Sequence, residues 1–210
     1  RGTEAAVLFG KYQLERVIGR GRSGTVFLAR HLGLDEERAI KRVRRTESGF
    51  IQEAALLKRL RHPGIPIIYD LEIDENYYYL IEEYLCGESL YARIERTGSL
   101  QTGELIRLGI ELCRIMNYLH SFKPNPILYL DLHPGNLLIC REQLKLIDFD
   151  QAALASLSQE RSVCYGTKGF AAPEQYEGGT LDERTDIYAI GALLYYMGTG
   201  HAPEGEIKAG

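Results

Sequence analysis

Asp131-Leu132-His133-Pro134-Gly135-Asn136-Leu137-Leu138 and Leu146-Ile147-Asp148-Phe149-Asp150 decide the reading of this chain. They place an acid, an amide five positions on, and a second acid twelve beyond that. The first acid can take a proton from a hydroxyl. The amide and the second acid offer hard oxygens to Mg²⁺ held against phosphate. Two short segments with these groups suit a metal-bound phosphate site.

Upstream lies Gly19-Arg20-Gly21-Arg22-Ser23-Gly24-Thr25-Val26, between predicted strands at 12–18 and 25–30. Glycines let backbone N–H groups approach phosphate without a Cβ in the way. A glycine run of this kind for dinucleotides joins a strand to a helix, so the strand–strand setting argues against that use. A third strand at 37–43 carries Ala39-Ile40-Lys41, and a helix over 50–60 follows, with Ile51, Ala54, Ala55, Leu57 and Leu60 on one side. Lys41 reads alone as either a solvent-facing edge lysine or a cation for phosphates. Glu53 sits among apolar neighbours and can turn inward to pair with it. Strands at 65–69 and 77–84, with a turn at Asp74-Glu75-Asn76, complete a small sheet.

Past Cys86-Gly87-Glu88 the pattern becomes helical, at 89–96 and at 102–121, where Thr102 is a residue that can cap. A serine-rich stretch at 155–162 reads as a mobile loop, and a last apolar helix covers 186–197. The expectation is two lobes, 1–85 and 86–210.

The bulk composition narrows the function. The chain has 210 residues and a formal net charge of −4, with no dense basic run, so no nucleic-acid partner is expected. Arg42, Arg44 and Arg45 read as a solvated edge. Cys86, Cys113, Cys140 and Cys164 are scattered, which points to free thiols in a reducing compartment rather than a disulfide framework or zinc site. No apolar run reaches the ~18 residues of a membrane span. A cytoplasmic domain is expected, standing alone or within a longer, membrane-anchored protein. Oligomeric state is not legible.

In their order along the chain, these segments resemble a eukaryotic-type protein kinase, most similar to bacterial Ser/Thr kinases. The resemblance implies an α+β, two-lobed fold: a small antiparallel-sheet N-lobe with one helix and a mainly helical C-lobe. It implies ATP with Mg²⁺, or Mn²⁺ in its place, and transfer of the γ-phosphoryl group to a Ser or Thr of a protein substrate. By the same resemblance Gly19, Gly21 and Gly24 cover the phosphates, and Lys41 and Glu53 form the phosphate-orienting pair. Asp131 is the catalytic acid, and Asn136 and Asp148 hold the metal. Val26 and Ala39 cover the adenine from above and Leu138 from below, while Glu83 and Leu85 offer backbone groups to its edge. Glu82 falls where the back pocket is guarded. Gly166-Thr167 ahead of Ala172-Pro173-Glu174 resembles Ser/Thr kinases, where the threonine hydroxyl bridges to the catalytic acid. Asp186-Ile-Tyr-Ala-Ile-Gly191 resembles the helix that supports the catalytic loop.

The chain departs from that pattern at several points. Tyr129-Leu130 replaces His-Arg, so a phosphate on the loop at 155–167 lacks its usual charge partner, and activity independent of that phosphate is expected. Tyr129 can still pack on Phe149. His133 replaces a lysine that touches the transferred phosphate, which implies slow or pH-dependent transfer. Asp150 replaces a glycine, and an aspartate there can adopt a left-handed backbone. The family continues with further helices, one carrying an arginine for Glu174. Two other readings stand beside the kinase: a pseudokinase that serves as a nucleotide-binding scaffold, and a small-molecule kinase of the aminoglycoside-phosphotransferase type. The latter group generally lacks the glycine loop in this form and the Gly-Thr…Ala-Pro-Glu segment.

Overall fold

The protein is described from a computed structural model over residues 6–21, 24–46, 50–158 and 166–204, with the side chains of 50–53 and 158 excepted. It divides into two compact units, Arg1–Arg61 with Pro66–Cys86, and His62–Ile65 with Gly87–Gly210.

The first unit holds β1 (Val7–Leu8), β2 (Tyr12–Gly21), β3 (Gly24–His31), β4 (Glu36–Arg44), α1 (Phe50–Leu57), β5 (Ile68–Ile73) and β6 (Tyr77–Glu83). The strands form one six-stranded sheet in the order β1-β2-β3-β4-β6-β5, and each adjacent pair is antiparallel. Its turns are built from side chains. His31 Nδ1 accepts the Gly33 and Leu34 N–H groups at 3.2 and 3.1 Å, which closes the β3–β4 hairpin. Asp74 Oδ1 accepts from Asn76 and Tyr77 N–H at 2.8 and 2.7 Å, and Oδ2 accepts the Tyr79 hydroxyl at 2.7 Å. That is the Asp74 turn expected from the sequence. Burial and the Asp74 carboxylate push the Tyr79 phenol up to about 12.

Register sets the two faces of this sheet. Gly19 lies opposite Val26, Val26 opposite Lys41, and Lys41 opposite Leu80. Side chains alternate along a strand, so Ala39 and Glu82 share that face. The other face carries an apolar cluster of Tyr12, Ala29, Ile40, Tyr79 and Ile81.

The second unit begins with β7 (Glu88–Ser89), α2 (Leu90–Thr97) and α3 (Thr102–His120). β8 (Ile127–Leu128), a 3-10 turn at Pro134–Asn136, β9 (Leu137–Cys140), β10 (Gln143–Leu146) and β11 (Ala153–Leu154) follow. α4 (Ala155–Ser158), α5 (Pro173–Glu177) and α6 (Glu183–Thr199) complete it. The strands pair as β10-β9-β7 and β11-β8. Leu108, Leu112, Ile115, Met116 and Leu119 form the buried stripe of α3, which packs with α6. Ser89 Oγ caps α2 by accepting the Ala92 N–H at 3.0 Å. Asp182 caps α6 in a capping box with Thr185.

Several local expectations need correction. The N-cap of α3 is Gln101, which makes no side-chain cap bond, so Thr102 is inside the helix. α1 ends at Leu57 rather than 60, because Arg59 and Leu60 N–H groups bond to the Leu56 and Leu57 carbonyls in tighter turns. β5 starts at Ile68 and runs to Ile73, later than the 65–69 reading, because Ile65 is tied back to the His62 carbonyl. Ala155–Ser158 is a helical turn rather than loop, anchored by the Ala155 N–H to the Pro126 carbonyl at 2.8 Å. The rest of the serine-rich stretch lies outside the described residues.

Candidate active site

In the first unit, Lys41 is buried in β4, 6% exposed, in the same cross-strand row as Gly19 and Val26. The Glu53 side chain lies outside the described residues, and so does its pairing with Lys41. The three glycines differ in what the fold demands of them. A Cβ on Gly24 would sit 2.2 Å from the Arg42 carbonyl oxygen, so strand packing alone requires glycine there. A Cβ on Gly19 would meet nothing closer than 3.7 Å, and on Gly21 no described atom within 4 Å. Room above Gly19 and Gly21 suits close approach of a phosphate to the backbone. The Glu83 N–H donates to the Ile67 carbonyl at 2.8 Å, so among the backbone groups expected at an adenine edge this donor is already engaged. Leu85 follows β6 in a stretch without regular structure.

In the second unit, the segment before Asp131 is held by buried bonds. Asp186, 1% exposed, accepts the Tyr129 N–H on Oδ2 and the Leu130 N–H on Oδ1, each at 2.9 Å. His120 Nε2 lies 2.8 Å from the same Oδ2. Leu130 has φ 66°, a left-handed conformation that a leucine adopts only under constraint. Its side chain is buried with Leu128 and Leu181, beside Ala155.

Asp131 itself is flanked by three polar side chains. Thr167 Oγ1 donates to Asp131 Oδ1 at 3.1 Å. Asn136 Nδ2 donates to the Asp131 carbonyl at 2.9 Å and reaches Oδ2 at 3.4 Å. That orients the amide with its nitrogen toward Asp131 and leaves Oδ1 as its hard-oxygen end. His133 Nε2 stands 3.8 Å from Asp131 Oδ2, and its Nδ1 accepts the Gly135 N–H at 3.1 Å. Burial holds the His133 pKa below its usual value, against the opposing pull of Asp131.

Asp148 follows β10 with φ 61°. The left-handed residue is the acid itself; Asp150, where an aspartate could have adopted such a backbone, does not. The Asp150 N–H donates to Asp148 Oδ1 at 3.2 Å and so steers the carboxylate. The Tyr129 hydroxyl shares its one proton between the Ile147 carbonyl and, at 2.7 Å, the Asp148 carbonyl. Its ring meets Phe149 edge-on, with centroids 5.1 Å apart at 83°, the packing expected from the sequence. Burial and then the charges of Asp148, Asp131, Asp150 and Asp186 push the Tyr129 phenol well up, so several carboxylates converge here. Leu138, in β9, lies opposite Ser89 and Lys145.

Amide and carboxylate oxygens from Asn136 and Asp148 fit a hard divalent cation.

The protein kinase domain family matches residues 12–209. This chain belongs to that family. Among bacterial relatives, the kinase domain is 35% identical over 205 residues to the serine/threonine-protein kinase PrkC of Bacillus subtilis. It is 32% identical over 213 residues to serine/threonine-protein kinase PknB of Mycolicibacterium smegmatis, and 30% over 213 residues to serine/threonine-protein kinase pkn3 of Myxococcus xanthus. These matches cover 92%, 93% and 92% of this chain but only 31%, 33% and 38% of the relatives. The kinase domain therefore spans about a third of the length of those relatives. Its fold class is the α+β, two-lobed kinase fold.

Within the kinase domain two features had no sequence signal. Gln175 donates from Nε2 to the Leu130 carbonyl at 2.7 Å, and its position inside Glu-Gln-Tyr says nothing of that. Glu174, for which the resemblance implied an arginine partner, accepts the Thr185 hydroxyl at 2.8 Å. Among the described residues no helix is long and apolar enough to cross a membrane.

Proposed function

We propose that this domain transfers the γ-phosphoryl group of ATP to serine or threonine hydroxyls of protein substrates, with Mg²⁺ as the metal and Mn²⁺ as a substitute. The reading rests on one observation above the rest: the Asp131 carboxylate is oriented by Thr167 and Asn136 on a backbone segment clamped by Asp186.

Asp131 orients the substrate hydroxyl and takes its proton as the bond to phosphorus forms. Thr167 and Asn136 restrain the Asp131 carboxylate, so it meets the incoming hydroxyl with a fixed direction. Asn136 Oδ1 and the Asp148 carboxylate hold the metal, and the Asp150 N–H keeps the latter in place. Bound there, the cation neutralises charge on the phosphate oxygens. Lys41 supplies a second positive group for the α- and β-phosphates, and Gly19, Gly21 and Gly24 bring backbone donors to the phosphates. By the family resemblance Val26 and Ala39 of the first unit, and separately Leu138 of the second, are assigned to the adenine, and Glu83 and Leu85 to its edge. For Glu83 this means its carbonyl, since its N–H is engaged. His133 replaces a permanent cation with an imidazole that burial keeps neutral, so transfer is slow rather than absent. The scattered thiols and the need for ATP fit a cytoplasmic location.

Single-turnover transfer from γ-labelled ATP to a casein acceptor, followed by phosphoamino-acid analysis, tests the reading. Labelled phosphoserine or phosphothreonine from the wild-type chain, and only a small residual from Asp131→Asn, is the expected result. ATP binding without transfer at any pH between 6 and 8 would point to the scaffold reading instead.

A further inference from the structure

We infer that Gln175 is a positioning residue for Asp131, acting through the carbonyl of Leu130. This rests on Asp131 being the group that orients the acceptor hydroxyl.

Gln175 is 3% exposed, and both ends of its amide are engaged. Nε2 donates to the Leu130 carbonyl at 2.7 Å, while Oε1 accepts the Ala172 N–H at 3.1 Å. The second bond fixes which end of the amide faces Leu130, so the orientation is chemically determined. The receiving carbonyl belongs to the peptide that joins Leu130 to Asp131. Leu130 carries φ 66°, a conformation that must be held by its surroundings. Asp186 holds the N–H side of that residue, and Gln175 holds the C=O side. Without Gln175, Leu130 loses one of its two clamps and its carbonyl becomes a buried acceptor without that donor.

The same side chain sits against the segment that carries Thr167. A Cβ built on Gly166 would lie 3.3 Å from Gln175 Nε2, so the two are neighbours. Thr167 holds the Asp131 carboxylate from one side, and Gln175 holds the peptide behind it. One short stretch, 166–175, therefore sets both the backbone and the side chain of Asp131. Order in this stretch is transmitted to Asp131 through these hydrogen bonds.

The test uses the whole chain in single-turnover transfer from Mg·ATP, with wild type, Gln175→Met, Asp131→Asn and the double variant. ATP affinity is measured in parallel by calorimetry. Gln175→Met is expected to lower the transfer rate by about ten- to a hundredfold with ATP affinity unchanged. In the Asp131→Asn background it is expected to lower the residual rate no further. A folded Gln175→Met chain with wild-type rate, or an equal fold-loss in both backgrounds, overturns the inference alone. Wild-type transfer by Asp131→Asn overturns the reading of Asp131 and the inference with it. Should Gln175→Met fail to fold, Gln175→Glu keeps the shape. Its protonated carboxyl donates to the Leu130 carbonyl and its ionised form cannot. The ratio of its rate to wild type is then expected to fall as pH rises, and a flat ratio overturns the inference.

Discussion

His133 shows how one side chain sets a rate. The Gly135 N–H needs a lone pair on Nδ1, so the neutral ring carries its proton on Nε2, toward Asp131. Burial opposes a second proton, against the pull of Asp131, and that proton would also break the Gly135 bond. The pKa is therefore lowered from the usual value of about 6.5, and the charge appears only below that pH. We expect His133→Lys to raise the single-turnover rate several-fold at pH 7.5, with the gain constant from pH 7 to 8. A wild-type rate that climbs between pH 8 and 7 would contradict a neutral imidazole. Gly166 is a second case. A Cβ there would lie 2.2 Å from the Ala171 Cβ, and the turn from Thr167 to Ala171 would have to shift. Gly166→Ala should move the Thr167 hydroxyl off Asp131 and lower kcat on the order of 10²-fold. Steady-state kinetics with an unchanged KM for ATP would identify that cause. The sequence supplied the identities of both residues through their motifs. It could not supply the ring tautomer or the Ala171 contact, which exist only once the loops close.

Secondary-structure elements here are stabilised at their ends by few, identifiable groups. The start of α6 carries most of them: Asp182 caps it, Thr185 reaches Glu174, and Asp186 binds two backbone N–H groups before Asp131. Asp186→Ala leaves the Tyr129 and Leu130 N–H groups buried without those acceptors, at about 1–3 kcal/mol each. Thermal denaturation should show that loss, and the transfer rate should fall with it because Leu130 would relax from its left-handed backbone. Helix and strand identities were legible in the sequence because period and turn residues agree, as at Asp74 and in α3. The boundaries were less so. Thr102 is a good capping residue by type, yet the chain enters α3 one residue earlier. The small pairings of β7, β9 and β10 went unread because strands of two to four residues carry too little pattern.

At the scale of the whole chain, the division of labour follows the sequence order. The sheet unit presents Gly19, Val26, Ala39 and Lys41 on one face and buries an apolar cluster on the other. The second unit gathers Asp131, His133, Asn136 and Thr167. Lys41→Met should abolish transfer on the order of 10²-fold or more while the melting curve stays close to wild type, since methionine fills the same buried volume. An equal loss of stability and rate would assign Lys41 to packing. The fold class could be read because its motifs are spread in a fixed order over nearly the whole chain. The left-handed residue could not be placed from sequence, because Asp148 and Asp150 are chemically equivalent candidates until the Asp150 N–H is seen on the Asp148 carboxylate.

The Tyr129 hydroxyl, bonded to the carbonyls of Ile147 and Asp148, has a consequence for inhibitors. Phe149 is 1% exposed and rests on the Tyr129 ring. A compound that occupies the space of Phe149 must wait for the ring to leave and for both carbonyls to be released. Its apparent affinity is reduced by the rarity of that open form. Compounds that leave Phe149 in place carry no such penalty. This domain should therefore favour the second kind, and compounds of the first kind should gain potency when Tyr129 is replaced by phenylalanine.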